Sequence, residues 1–118
     1  MKKKPLVSVL IASFNKEKYI NRCIKSCLEQ TYKNLEIIIF DDKSKDNSVN
    51  IIKKFKKTKL ILNKKKKTKQ GSINQMNAYH KAFNKSKGQI ICLLDSDDFY
   101  HLSKISHVVK YFNRNKNK

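Results

Sequence analysis

At 118 residues the chain is long enough for one layered core and too short for two. Its 39% hydrophobic content argues against a disordered chain, and 28 Lys plus Arg against 9 Asp plus Glu leave a net charge of +19. Arg22 and Arg114 are the only arginines, and base readout depends on arginine forks, so the charge favours loose contact with an anionic membrane surface over specific nucleic-acid binding.

The first fourteen residues, MKKKPLVSVLIASF, have the basic start and short apolar stretch of a secretion signal. The apolar part runs straight into Asn15, Lys16, Glu17 and Lys18 with no small-residue cleavage site, so it reads as a buried first strand over Leu6–Ala12. Asn15 is placed to cap a helix in which Tyr19, Ile20, Cys23, Ile24, Cys27 and Leu28 repeat at helical spacing. Leu35–Phe40 is a second buried strand. Asp46 or Ser48 then caps a helix carrying Val49, Ile52 and Phe55, and Leu60–Leu62 is a short third strand. After a lysine-rich loop, Ser72 with Gln75 forms a capping-box pattern opening a helix that stacks Met76, Tyr79, His80 and Phe83, with Gly88 as its C′ stop. Gln89–Leu94 is the fourth strand, and Ser103 caps a last helix through Ile105, Val108, Val109 and Phe112. One domain over residues 1–113 with a basic tail at 114–118 follows from this pass.

Cys23, Cys27 and Cys92 are an odd count with no disulfide framework, which points to a reducing, cytoplasmic compartment. Without a second cysteine pair, Cys23 and Cys27 make no persuasive metal site with His80, His101 or His107. No segment approaches the roughly 20 apolar residues that span a bilayer.

Strands alternating with helices imply an α/β fold with a mostly parallel sheet in three αβα layers. Ligands of such sheets bind beyond the carboxyl ends of the strands. Three tips are therefore singled out: Ser13–Asn15, Asp41–Asp42 and Asp95–Asp98. Five of the nine acidic residues stand at two of them. Capping and turn chemistry explains one Asp per tip but not Asp95, Asp97 and Asp98 together. Carboxylates so crowded are tolerated around a hard divalent cation, and Mg²⁺ completes its shell with water and substrate phosphates. The residues alone thus point to a metal–diphosphate site.

The stretches VSVLIASFN (Val7–Asn15), QTYKNLEIIIFDDKSKDNS (Gln30–Ser48) and GQIICLLDSDDF (Gly88–Phe99) together resemble the N-terminal half of a family-two glycosyltransferase of the GT-A fold, whose sheet is Rossmann-like. GSINQMNA (Gly71–Ala78) is similar to the variable segment that precedes the family's fourth strand. The resemblance implies a nucleotide-sugar donor, a UDP-sugar first, with Mg²⁺ or Mn²⁺ as cofactor. Ala12, Ser13, Phe14 and Asn15 would hold the base, Phe14 by stacking. Asp42 would bond the base or ribose, and Asp41 would order its loop. Asp95 would face the ribose or the metal's outer shell, Asp97 would ligate the metal, and Asp98 would border the sugar. The acceptor, whether glycan, lipid-linked or protein, is left open.

Two departures matter. Lys43 stands where the family commonly has Gly. Family domains also run about twice this length, with the catalytic base, an Asp or Glu, in the second half. The resemblance implies metal-dependent transfer of the sugar to an acceptor hydroxyl, with this chain holding the donor-binding half. The last acidic residue here is Asp98, so no catalytic residue is assigned, and a truncated remnant or a non-catalytic nucleotide-sugar-binding module is the alternative. The sheet edge left uncovered would favour association. A phosphatase-like reading, with Asp95 as nucleophile and Asp97 as acid–base, needs its D-x-D near the start of the fold and a hydroxyl residue where Phe99 stands. A nucleic-acid-binding reading leaves the acidic tips unexplained.

Overall fold

A computed structural model describes residues 4–67 and 69–115. The basic start at Met1–Lys3 and the end of the expected tail, 116–118, lie outside the described residues. In chain order the elements are β1 (Val7–Ser13), α1 (Ile20–Leu28), β2 (Leu35–Asp41), α2 (Ser48–Lys53), β3 (Thr58–Leu62), α3 (Gly71–Asn84), β4 (Ile90–Asp95) and α4 (Lys104–Asn115). Helix α4 therefore takes in Arg114 and Asn115, the first two residues assigned to the tail.

The four strands form one parallel sheet in the order β3-β2-β1-β4. The chain winds outward from β1 through β2 to β3, then crosses back to place β4 on the other side of β1. One sheet face carries Val7, Val9, Ile11, Ile37, Ile39, Ile90 and Leu94 against α1, α2 and α4; the other packs Leu10, Ile38 and Phe40 against α3. Helices on both faces explain why β1 and β2 are nearly continuous apolar runs rather than alternating ones. Each fully buried Ile or Val contributes about 1.5–3 kcal/mol, as an upper bound. Among the described residues β3 and β4 each pair with one strand, leaving two open edges.

The helix starts differ from expectation. Asn15 is not a cap: it takes a left-handed φ of 51°, a conformation Asn tolerates, and α1 begins only at Ile20 with Tyr19 as N-cap. Asn47 occupies the N-cap of α2, while Asp46 accepts the Ser48 amide at 3.0 Å from one position further back. The Ser72–Gln75 capping box does not form, because the N-cap of α3 is Gln70, two positions earlier, and Gln75 reaches instead toward β4. That helix rests on Ala78 and Ala82, small residues that allow close approach to the sheet, whereas Met76 (71% exposed) and Phe83 (53%) stand outside. For α4, buried Gln30 does the capping expected of Ser103: its Oε1 accepts the Ile105 amide at 2.9 Å, and its Nε2 donates to Ser26 O and His101 O. The segment after Asp95 is thereby stitched to the end of α1, helped by Thr31 N donating to Leu102 O and Tyr100 N to Ser26 Oγ.

Gly88 is no helix stop either, since α3 ends with Lys85 as C-cap and Gly88 has no positive φ. Its reason is steric: a Cβ there would collide with Ser8 Oγ, and would lie 2.7 Å from Ser8 N and 2.9 Å from Leu6 O. Gly88→Ala is expected to cost about 1–3 kcal/mol in urea unfolding, whereas Gly71→Ala, which meets open space, should leave stability equal or raise it by up to about 1 kcal/mol. Beside Gly88, Glu36 accepts hydrogen bonds from Ser8 Oγ, the Lys87 amide and Lys59 Nζ. Burial alone would raise its carboxyl pKa, but these donors and the Lys59 charge outweigh it and hold the group below the usual carboxylate range. A depressed folded pKa gives stability that is present above about pH 4.3 and lost as pH falls through the folded value. Glu36→Gln should flatten this acid limb of the pH–stability curve.

Candidate functional site

Parallel register fixes the site. Ser13 is opposite Asp41 on one side of β1, and Ala12 is opposite Asp95 on the other. Because strand order reverses at β1, the tips of β2 and β4 flank the tip of β1 and open a cleft of about 310 Å³. Ala12, Ser13, Phe14, Asp42, Asp95 and Asp97 line it, together with Lys16, Lys67, Asn74 and Gln75. Asn15 and Asp98, also expected at the site, lie apart. Asn15 Oδ1 accepts the Lys45 amide at 2.8 Å, and its own amide donates to Ser44 Oγ, so it ties two loops together. Asp98 faces a neighbouring groove with Gln75, Tyr79, Leu93 and Tyr100.

The acidic pair divides its work. Asp41 accepts the Ser44 amide and hydroxyl at 2.9 and 2.6 Å, closing its loop. That loop holds Lys43 at φ 62°, the left-handed conformation Gly adopts at no cost. Asp42 turns into the cleft, where Asn63 Nδ2 donates to it at 2.7 Å and Lys67 Nζ approaches to 3.4 Å. The same ammonium sits 3.0 Å from the centre of the Phe14 ring, a cation–π contact.

On the other side, Asp95 Oδ1 accepts from Gln75 Nε2 at 2.9 Å and Tyr79 OH at 2.5 Å. Burial, and then this bond to Asp95, push the Tyr79 hydroxyl pKa up, so it stays a donor. Asp97 has one ion pair, with Lys16 at 3.8 Å, and the two side chains are 51% and 40% exposed. Such a pair contributes roughly 0–1 kcal/mol, so another cation can replace Lys16 at little cost. Ser13 Oγ is buried in the cleft wall with no hydrogen-bond partner among the described residues. Three carboxylates and two ammonium groups thus share one small cleft.

Lys16, Lys67, Asn74, Gln75 and Tyr79 were not singled out for this site from sequence. By sequence pattern Gln75 belongs to a capping box and Tyr79 to a helical stripe. The available signal was position: α3 starts on the tip side of the sheet, and residues four apart near its start share a face. The thiols are not reactive groups. Burial raises the pKa of Cys23 and pushes Cys27 up to about 12, and among the described residues no cluster of three His, Cys, Asp or Glu converges on a point.

A family model for Glycosyl transferase family 2 matches residues 8–118. The chain belongs to this family. It is 40% identical over 111 residues to the UDP-Glc:alpha-D-GlcNAc-diphosphoundecaprenol beta-1,3-glucosyltransferase WfaP of Escherichia coli, covering 94% of this chain and 43% of that protein. It is 35% identical over 112 residues to chondroitin synthase of Pasteurella multocida (strain Pm70), covering 95% and 11%. In fold it is similar to S. aureus TarS 1–349 in complex with UDP, with a TM-score of 0.80 at 19% identity over 93% of this chain and 32% of that one. The mannosyltransferase PcManGT of Pyrobaculum calidifontis, in complex with GDP-Man and Mn²⁺, gives 0.77 at 20% identity over 93% and 33%. The α/β architecture is that of the GT-A members of family two, and the chain spans less than half the length of the curated relatives described here. Among the described residues no helix is long and apolar enough to cross a membrane.

Removing the Tyr79 hydroxyl tests how far Asp95 depends on its donors. Tyr79→Phe is expected to cost about 1 kcal/mol in urea unfolding, the net worth of one hydrogen bond. Gln75→Ala in the same background should then cost more than it does alone, because Asp95 loses both Oδ1 donors.

Proposed function

We propose that the cleft binds a nucleotide-diphosphate sugar, a UDP-sugar first, as the donor for metal-dependent transfer to an acceptor hydroxyl. The observation that carries this reading is the meeting of an exposed aromatic ring, Phe14, with Asp42, Asp95 and Asp97 at the point where strand order reverses. Phe14 offers a stacking face once Lys67 moves aside. Asp42, steadied by Asn63, accepts from the base or ribose, with Ala12 and the unpartnered Ser13 hydroxyl forming the floor. Asn15 supports this end by fixing the loop after β2. Asp95 is aimed by Gln75 and Tyr79 at the ribose or the metal's outer shell, and Asp98 borders the sugar from the adjoining groove.

Asp97 would hold Mg²⁺ or Mn²⁺. The donor set fits: a half-exposed carboxylate already faces a cation, and Mg²⁺ takes only one or two protein carboxylates beside water and phosphate oxygens. When bound, the ion supplies Lewis-acid neutralisation of a diphosphate leaving group. The Mn²⁺ and GDP-Man of PcManGT and the UDP of TarS support a nucleotide donor and a divalent cation. WfaP, named for transfer from UDP-Glc to alpha-D-GlcNAc-diphosphoundecaprenol, supports a lipid-linked acceptor for this chain. No catalytic base is assigned among these 118 residues.

A UDP-sugar with Mn²⁺ at a hundredfold over its Kd should stabilise the chain by about 2.7 kcal/mol, roughly a 10 °C rise in Tm. Asp97→Asn should abolish the Mn²⁺-dependent part of the shift and leave the ligand-free Tm nearly unchanged. Absence of a shift with every nucleotide sugar would sink the assignment. Sugar transfer by these 118 residues alone would rule out the module reading.

A further inference from the structure

Beside the donor cleft, on the far side of Asp42, a second cleft of about 280 Å³ opens between the segment after β3 and α3. Its wall carries Lys65, Lys66, Lys67 and Lys81, with the side chains of Asn63, Asn77 and His80. The one carboxylate there, Asp42, is already engaged by Asn63 and Lys67. Lys65, Lys66 and Lys81 form no ion pair among the described residues. The sequence explains this excess: from Asn47 to Leu94 there are thirteen lysines and no Asp or Glu. Like charges spread over a convex surface are screened by salt and cost little. In a concave wall they repel at short range and focus a positive potential on one point.

We propose that this second cleft is a phosphate-binding site beside the donor site, sharing with it the wall formed by Asp42, Lys67 and Asn74. Three unpaired ammonium groups match the charge of a phosphate, and amide donors from Asn63 and Asn77 suit its remaining oxygens. The volume is several times the roughly 30 Å³ of a water molecule, room for a phosphate or a lipid headgroup. Nucleic acid is the poorer match, because the wall has no arginine fork with which to read base edges. The same phosphate chemistry is met in a free anion and in the headgroup of an anionic lipid.

The test compares two triple variants of equal charge. The triple Lys65→Gln, Lys66→Gln, Lys81→Gln empties the cleft of its unpaired cations; the triple Lys25→Gln, Lys104→Gln, Lys110→Gln removes as many from α1 and α4, on the opposite face of the sheet. Both are titrated with inorganic phosphate, followed by the Asn63 and Asn77 side-chain resonances. Both are also sedimented with phosphatidylcholine vesicles with and without phosphatidylglycerol. The cleft triple should lose binding by roughly a hundredfold, at about fivefold per lysine, while the control keeps most of it. Loss confined to phosphatidylglycerol vesicles identifies a lipid headgroup; loss of phosphate binding alone identifies a soluble anion; either supports the site. Equal losses in the two triples, or no binding of either probe, would overturn it. Asp97→Asn separates this from the donor reading: it should leave phosphate and vesicle binding intact, and the cleft triple should keep the UDP-sugar shift.

Discussion

Parallel pairing of β1 with both β2 and β4 is the constraint on which the rest depends. A central strand flanked on both sides must be apolar on both faces, and VSVLIAS meets that requirement. The same pairing forces two acidic tips to end at one height on either side of Ser13. Neither Asp42 nor Asp95 and Asp97 makes a site alone; the reversal of strand order makes them one.

Bringing three carboxylates together has an electrostatic cost, and the chain offsets it in two ways. On the β4 side, neutral donors on α3, Gln75 and Tyr79, hold Asp95 in one orientation. Elsewhere two lysines stand in as counter-ions, Lys16 at Asp97 and Lys67 at Asp42 and Phe14. The neutral bonds define geometry, whereas the ammonium groups hold places that the proposed donor and metal would take. Net charge of the whole chain is therefore a poor guide to the cleft. The lysine excess matters in a different place, the concave wall beyond Asp42, where no acid from Asn47 to Leu94 balances it.

Membership of family two rests on nearly the whole chain, yet the chain spans only part of its longer relatives. At the β4 edge Leu93 is exposed on a strand with one partner among the described residues, and Met76 and Phe83 are exposed on α3. An apolar face next to an open edge is where association with further structure is most favourable. The groove that Asp98 shares with Leu93 and Tyr100 lies along the same edge, so the sugar-side half of the proposed site is also the less enclosed half.

The sequence by itself determined the element order, the α/β class, the buried strands and the acidic tips, because apolar periodicity and charge placement are local properties of the chain. It also carried the family resemblance, through motifs that stay contiguous. Tertiary structure decided what local pattern could not. Asn15 gave up its expected cap because a left-handed turn lets it bond Lys45 across the sheet top. The Met76–Phe83 stripe faces outward because the sheet accepts Ala78 and Ala82 at closer range. Gly88 is required by Ser8, eighty residues away in sequence, and not by the helix before it. Lys16, Lys67, Gln75 and Tyr79 joined the site through contacts between elements, whose partners are chosen by packing and register rather than by spacing along the chain.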